Sequence, residues 1–240
     1  MKKTLILLYA TLGYLIGMAS IAYMVGFIAN IGVPKAIGDG PAGSPWTAAL
    51  TDAGLLWLFG LHHSITARTS FKRWWTKFVP ASIERATYVY MTAGLIAPLV
   101  LLWEPIPATI WNVQWLPGQI AIWALYLGCW GMMLAATFHF GHFRFLGIAQ
   151  AWERFRNTRP PEGRFSARYL YAVVRHPISL GWITAPLLVP HLSAGHLVFS
   201  LAALVYVLIA TPFEEADLIE ELGDVYRHYR RRVPTFLPRF

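Results

Sequence analysis

The chain has 240 residues, of which 56% are hydrophobic and 13% charged. Ordinary soluble domains carry roughly 25% charged residues, so this composition excludes a soluble enzyme and predicts an integral membrane protein. A net charge of +8 would also suit a nucleic-acid binder, but the basic residues lie in loops between apolar runs, the distribution that orients a chain in a membrane and attracts anionic lipid.

Lys2 and Lys3 precede an apolar run over 4–31. That run exceeds the roughly 7–15 residues of a signal-peptide core and is predicted to remain as the first membrane span. The loop "GDGPAG" at 38–43 spells G-x-G-x-x-G, but no strand is predicted before it and Pro41 interrupts it. It reads as a flexible turn and not as a dinucleotide site. Further apolar runs occupy 46–66, 86–103 and 118–138, each near the ~20 residues that cross a bilayer. The lone cysteine, Cys129, sits in the last of these, excludes an intrachain disulfide, and is assigned to helix packing.

The final run, 177–212, is broken by Pro186, Pro190 and "PHLSAGH" and reads as a helical hairpin with a short first arm. Pro212 marks the expected end of the last span. The tail "ADLIEELGDVYRHYRRRVP" then reads as an amphipathic helix, a Gly break, and a second helix stopping at Pro234. No strand alternation is apparent. The predicted fold class is all-α: a polytopic integral membrane helical bundle of five to six spans, with a C-terminal helical hairpin and a cytoplasmic amphipathic tail. One domain covers 1–240, with N-terminal spans in 1–138 and a loop, the hairpin and the tail in 139–240.

With six spans, the basic loop 67–85, the loop 139–176 with its Arg residues from Arg144 through Arg164 to Arg175, and the tail from Arg227 to Arg239 fall on one side; only Lys35 is opposite. The positive-inside rule then places both termini and these loops on the cytoplasmic side of the membrane.

Residues capable of chemistry gather on that same side. "LHHSITAR" supplies His62, His63, Ser64 and Arg68; "FHFGHF" supplies His139 and His142; "VRHP" opens the hairpin and "FEEADL" closes it. So many ionisable groups at one membrane depth point to a functional site. His139 and His142 are i, i+3 neighbours, yet no Glu-x-x-His occurs to complete a di-iron pattern, and no metal is assigned. A haem- or metal-binding accessory protein stays open as the alternative class. No phosphate loop, nucleophile elbow or zinc-protease motif appears, and neither nucleic acid nor an obligatory protein partner is implied.

The pattern Y-x-x-V-R-H-P-x-x-x-G (Tyr171, Val174, Arg175, His176, Pro177, Gly181), followed by E-E-x-D-L-x-x-x-x-G-x-x-Y-x-x-Y-x-x-x-V-P from Glu214 to Pro234, resembles the isoprenylcysteine carboxyl methyltransferase superfamily. "HSITAR", "FKRWW", "ERATYVY", "HFRFLGIAQAW" and "GHLVF" extend the likeness along nearly the whole chain to its methanethiol S-methyltransferase branch. The resemblance implies S-adenosylmethionine as methyl donor, methanethiol as acceptor and dimethyl sulfide as product, with membrane lipid around the chain. Isoprenylcysteine enzymes carry an Arg shortly before the paired Glu; Ala210 stands there in this chain, which fits a small neutral thiol better than a prenylated carboxylate. The branch pattern also differs at Arg144 and Ala149, and a lipidic acceptor stays open.

Carried over by residue, the resemblance implies donor binding by Gln150, Tyr171, Val174, Arg175, His176, Pro177, Gly181, Glu215, Tyr226 and Tyr229. It implies acceptor binding by His63, Arg68 and Glu214. Glu214 or His176 takes the thiol proton, with Glu214 the first choice. Pro177 suits the first position of a helix, where its missing N–H is not needed, and the uncapped amides of that turn can bind a carboxylate.

Overall fold

The computed structural model describes residues 2–139, 141–159 and 165–237; Arg164 and Arg239 of the basic segments lie outside the described residues. Long helices dominate it: α1 Lys3–Ala29, α2 Pro45–Ala67, α4 Ala81–Leu101, α5 Leu116–His139 and α10 Ala194–Leu222. Short helices are α3 Thr69–Trp75, α6 His142–Phe145, α7 Ile148–Arg156, α8 Leu170–Val173, α9 Pro177–Thr184 and α11 Asp224–Arg232. Helices α1, α5 and α10 are each long and apolar enough to cross a membrane, so the chain is an all-α membrane protein, as its composition predicts.

The chain runs end to end between two faces of the bundle. At the near end Lys3 Nζ donates to Asn157 Oδ1 (2.6 Å), Arg85 Nε to Phe145 O (2.6 Å), and Arg68 pairs with Asp217 (3.3 Å). At the far end Lys35, the basic outlier, donates to Leu101 O (2.7 Å) and Trp103 O (2.9 Å), capping the last carbonyls of α4. The basic loops therefore share one end.

Packing follows from small residues on α1. Gly13 and Gly17 form a G-x-x-x-G stripe; a Cβ at Gly17 would lie 2.6 Å from Val89 Cγ1, and one at Gly13 would lie 2.9 Å from the Tyr90 ring. Their absence of side chains lets α1 and α4 approach closely, the usual way membrane helices gain contact. Phe27, Ile28, Leu56, Trp103, Tyr126 and Phe199 lie in the main core. Outward positions such as Leu8, Leu12 and Leu15 are more than half exposed, as a lipid-facing stripe requires.

Two expectations are corrected. The first is the absence of strands. β1 Thr109–Asn112 pairs antiparallel with β2 His191–Ser193 at the far end. The hairpin arm is helical only over α9 and a 3₁₀ turn at Ala185–Leu187. Pro190 prevents that helix from continuing, so the following backbone must find partners elsewhere. β1 supplies them, extended by Val113 N–H to Pro190 O (2.9 Å) and Ala194 N–H to Ala108 O (2.7 Å). The second correction concerns Pro212, which does not end the helix: α10 continues to Leu222. Arg68–Asp217 and Arg175–Glu215 hold the extension against the hydrogen bond that Pro212 removes.

Candidate active site

Two prolines and the tail build the site. Val174 is extended (φ −140°, ψ 149°), and Pro177 drives the residue before it, His176, away from helical geometry (φ −126°, ψ 63°). α8 therefore stops and α9 begins afresh at Pro177, leaving the amides between them free to pair. The tail takes them: Arg175 N–H donates to Pro234 O (2.9 Å) and His176 N–H to Thr235 O (3.2 Å). Residues 233–235 cross the Arg175–His176 segment as a strap.

The Arg175 guanidinium tightens the same strap. Nη1 donates to Arg230 O (3.1 Å) and to Val233 O, Nη2 to Thr235 Oγ1 (2.8 Å), and Nε to Glu215 Oε1 (2.7 Å). Glu215 is buried; its Oε1 also lies 3.1 Å from His176 Nε2, and its Oε2 lies 3.1 Å from Arg230 Nε. Neighbouring helical positions point ~100° apart, so Glu214 faces elsewhere. Its side chain is 56% exposed, with Oε2 3.7 Å from His176 Nδ1. The unbroken phase of α10 through Pro212 sets this division between the two carboxylates.

Aromatic rings flank the strap. Tyr229 OH donates to Tyr171 O (2.7 Å). Phe165 lies 5.1 Å from Tyr229 and 6.0 Å from Tyr226, edge to face in both cases, and Tyr171 lies 4.7 Å from His139. Burial pushes the phenols of Tyr171 and Tyr226 well up and that of Tyr229 to about 12. All three stay protonated near neutrality, which makes them hydrogen-bond donors and unsuited to take a proton. The amides of Ile178 and Ser179 open α9, and no side-chain cap is present there. They lack intrahelical partners and carry the positive end of the helix dipole.

The acceptor-side residues lie across from Glu214. His63 on α2 meets Tyr88 of α4, whose hydroxyl lies 2.8 Å from Nε2 and 2.9 Å from Nδ1. Ser64 Oγ lies 2.6 Å from Tyr206 OH of α10. Arg68 is committed to Asp217 and lies 6.0 Å from the Phe213 ring, beside Glu214 on α10.

Other sequence-assigned residues do not join this cluster. A Cβ on Gly181 would lie 2.3 Å from Met133 Cγ, so that glycine serves the contact between α9 and α5. Val174 is buried, with its N–H bonded to Leu170 O (3.0 Å). Gln150 lies on α7, which packs on α1 and α4, and donates to Arg144 O (3.0 Å). Arg144 itself pairs with Glu153. His142 is buried between Thr137 Oγ1 (2.7 Å) and Tyr14 OH (3.1 Å). Among the described residues no three His, Cys, Asp or Glu side chains gather as a metal-ligand set.

Tyr88, Phe165, Tyr206, Thr235 and Phe236 were not singled out as site residues from the sequence. Phe236 lies 5.9 Å from the His176 ring. Tyr88 had a signal, since it stands in the quoted "ERATYVY" segment; the others are uncharged residues in apolar or linking sequence.

A helical membrane bundle with a polar cluster at its basic end, strapped by its own tail, defines a membrane protein with one buried ionic centre and open carboxylate and helix-start groups beside it. Comparison with known proteins gives the family. The chain is 40% identical over 238 residues to the methanethiol S-methyltransferase of Mycobacterium tuberculosis, covering 99% of this chain and 98% of that protein. It is 42% identical over 232 residues to the methanethiol S-methyltransferase of Pseudomonas deceptionensis, covering 97% and 88%. Nurim of Sus scrofa is a more distant relative, 26% identical over 207 residues and 78% of each chain. No family model and no solved structure matches the chain. The chain belongs to the methanethiol S-methyltransferase family.

Proposed function

We propose that the chain methylates methanethiol to dimethyl sulfide with S-adenosylmethionine as donor, at the cytoplasmic face of a bacterial inner membrane. The carrying observation is the arrangement around His176: a buried Glu215–Arg175–His176 centre, an exposed Glu214 beside it, and the uncapped start of α9 immediately after it. Near-full-length similarity to relatives bearing that activity in their names supports the same reading.

The residues present fit the donor's chemistry. The α9 amides suit a carboxylate, the partly exposed Phe165 ring, packed on the buried Tyr226 and Tyr229, offers an aromatic face for a base, and carboxylate charge beside them suits a sulfonium or ammonium group. When bound, S-adenosylmethionine supplies a methyl group on a good leaving group. The chain's own residues then have to hold the thiol in line, exclude water and remove one proton. His63, Tyr88, Ser64 and Tyr206 present hydroxyl and imidazole groups to a small thiol, and the guanidinium groups beside them are already engaged, Arg85 over the Tyr88 ring (4.5 Å) and on Phe145 O, and Arg68 on Asp217. Ala210, one turn before Glu214, leaves no guanidinium there for a prenylated acid.

The test is purified protein with methyl-labelled donor and, separately, methanethiol and a prenylcysteine acid, followed by headspace and extract analysis. Label in dimethyl sulfide is expected. Label only in the prenylated acid would move the acceptor to the lipidic class, and no labelled product from any thiol would overturn the enzymatic reading. Donor alone should raise the unfolding temperature, since about 100 Kd of ligand stabilises a native state by about 2.7 kcal/mol.

A further inference from the structure

Glu215 and Glu214 meet opposite edges of one imidazole, and this determines where that imidazole carries its proton. Glu215 is buried and held by two guanidinium groups, Arg175 Nε on Oε1 at 2.7 Å and Arg230 Nε on Oε2 at 3.1 Å. A carboxylate so held is anionic and can only accept hydrogen bonds. The ring nitrogen 3.1 Å from it, His176 Nε2, must therefore be the donor. In a neutral imidazole the other nitrogen then carries the lone pair. That nitrogen, Nδ1, makes no hydrogen bond among the described residues. It faces the exposed Glu214 carboxylate, 3.7 Å away.

We propose that His176 Nδ1 takes the thiol proton, that Glu215 acts as a positioning residue by fixing the Nε2–H tautomer, and that Glu214 stabilises the imidazolium that results. The proposal rests on the thiol-methylation reading and replaces Glu214 as proton acceptor. The step balances: the S–H bond breaks and its proton goes to Nδ1. The sulfur pair forms the new S–CH3 bond, and the pair of the broken C–S bond stays on the donor's sulfur. The proton leaves Nδ1 to water afterwards. Imidazoles as a class match thiols in basicity more closely than carboxylates do. The charged groups facing the ring are Glu214 and Glu215 from α10, Arg175 from its own segment and Arg230 from α11, and the Phe236 ring covers one side at 5.9 Å.

A selenol separates base catalysis from every other role, because it is far more acidic than a thiol and already anionic at neutral pH. Methyl transfer to methanethiol and to methaneselenolate is measured for the intact protein and for His176→Gln, Glu215→Gln and Glu214→Gln. His176→Gln is expected to lower the thiol-to-selenolate rate ratio by about 10²–10⁴-fold, the usual worth of a general base. Glu215→Gln should lower the thiol-to-selenolate ratio in the same direction. Glu214→Gln should lower that ratio less than His176→Gln does. Equal losses on both acceptors in His176→Gln or Glu215→Gln would overturn the proposal, because damage to folding or donor binding moves both. A hundredfold thiol-specific loss in Glu214→Gln would return the base to Glu214. Inactivity of the unmodified protein on both acceptors would instead remove the methyltransferase reading itself.

Discussion

Gly181 and Arg175 stand six residues apart in the same quoted motif, yet the structure gives them different work. Gly181 touches α5: the Cβ of an alanine would fall 2.3 Å from Met133 Cγ and 2.4 Å from its sulfur. Methionine is flexible and can yield part of that distance. Overpacking of this kind costs about 1–3 kcal/mol, so Gly181→Ala is expected to lower the unfolding temperature in detergent while donor affinity changes less than threefold. A larger fall in affinity than in stability would return Gly181 to the donor pocket. Arg175 is spent on five contacts through its side chain and backbone, and its side chain is 8% exposed. Lysine offers one nitrogen for the four acceptors that the guanidinium fork reaches, so Arg175→Lys is not a conservative change.

The strap makes a prediction at the scale of elements. A lysine at 175 keeps the charge but cannot reach Glu215, the Arg230 and Val233 carbonyls and Thr235 together, and the loss falls on the docking of α11 and residues 233–235. Arg175→Lys is expected to raise hydrogen exchange over 224–237 while α1 and α5 keep their protection. Uniform loss of protection across all helices would show that Arg175 serves the whole fold and not the tail. The restart at Pro177 was legible in the sequence, because a proline both begins a helix and bends the residue before it. The run of α10 through Pro212 was not, because the contacts that carry it, Arg68–Asp217 and Arg175–Glu215, join residues 149 and 40 positions apart. The β1–β2 pair was hidden for a similar reason: each strand is too short to show alternation, and each has meaning only beside the other. His63 was read as a site residue, but its partner Tyr88 lies on another helix. A single sequence names the imidazole without naming its neighbour.

For the whole molecule the open question is which end faces the cytoplasm. Helices α1, α5 and α10 are long and apolar enough to cross a membrane, and we propose six passes in all, with α2, α4 and the arm from Pro177 to Ser193 making the others. The arm manages this with only eight α-helical residues, because extended backbone advances more than 3 Å per residue against 1.5 Å in a helix. An even number of passes leaves Lys3 and α11 at the same end, together with the basic loops. Lys35 at the other end is already occupied in capping α4. The positive-inside rule then predicts a cytoplasmic near end, the side from which the proposed charged donor would reach the strap. Cys129 is buried, so single introduced cysteines report without native background. Ala42 and Thr76 are exposed at the far and near ends respectively. With a membrane-impermeant maleimide on intact spheroplasts, Ala42→Cys is expected to label and Thr76→Cys to label only after the membrane is opened. The reverse pattern would invert the protein and place the Glu214–His176 centre outside the cell, where a cytoplasmic donor could not reach it. Labelling of both in intact spheroplasts would mean that α2, the long helix between the two positions, does not cross the membrane.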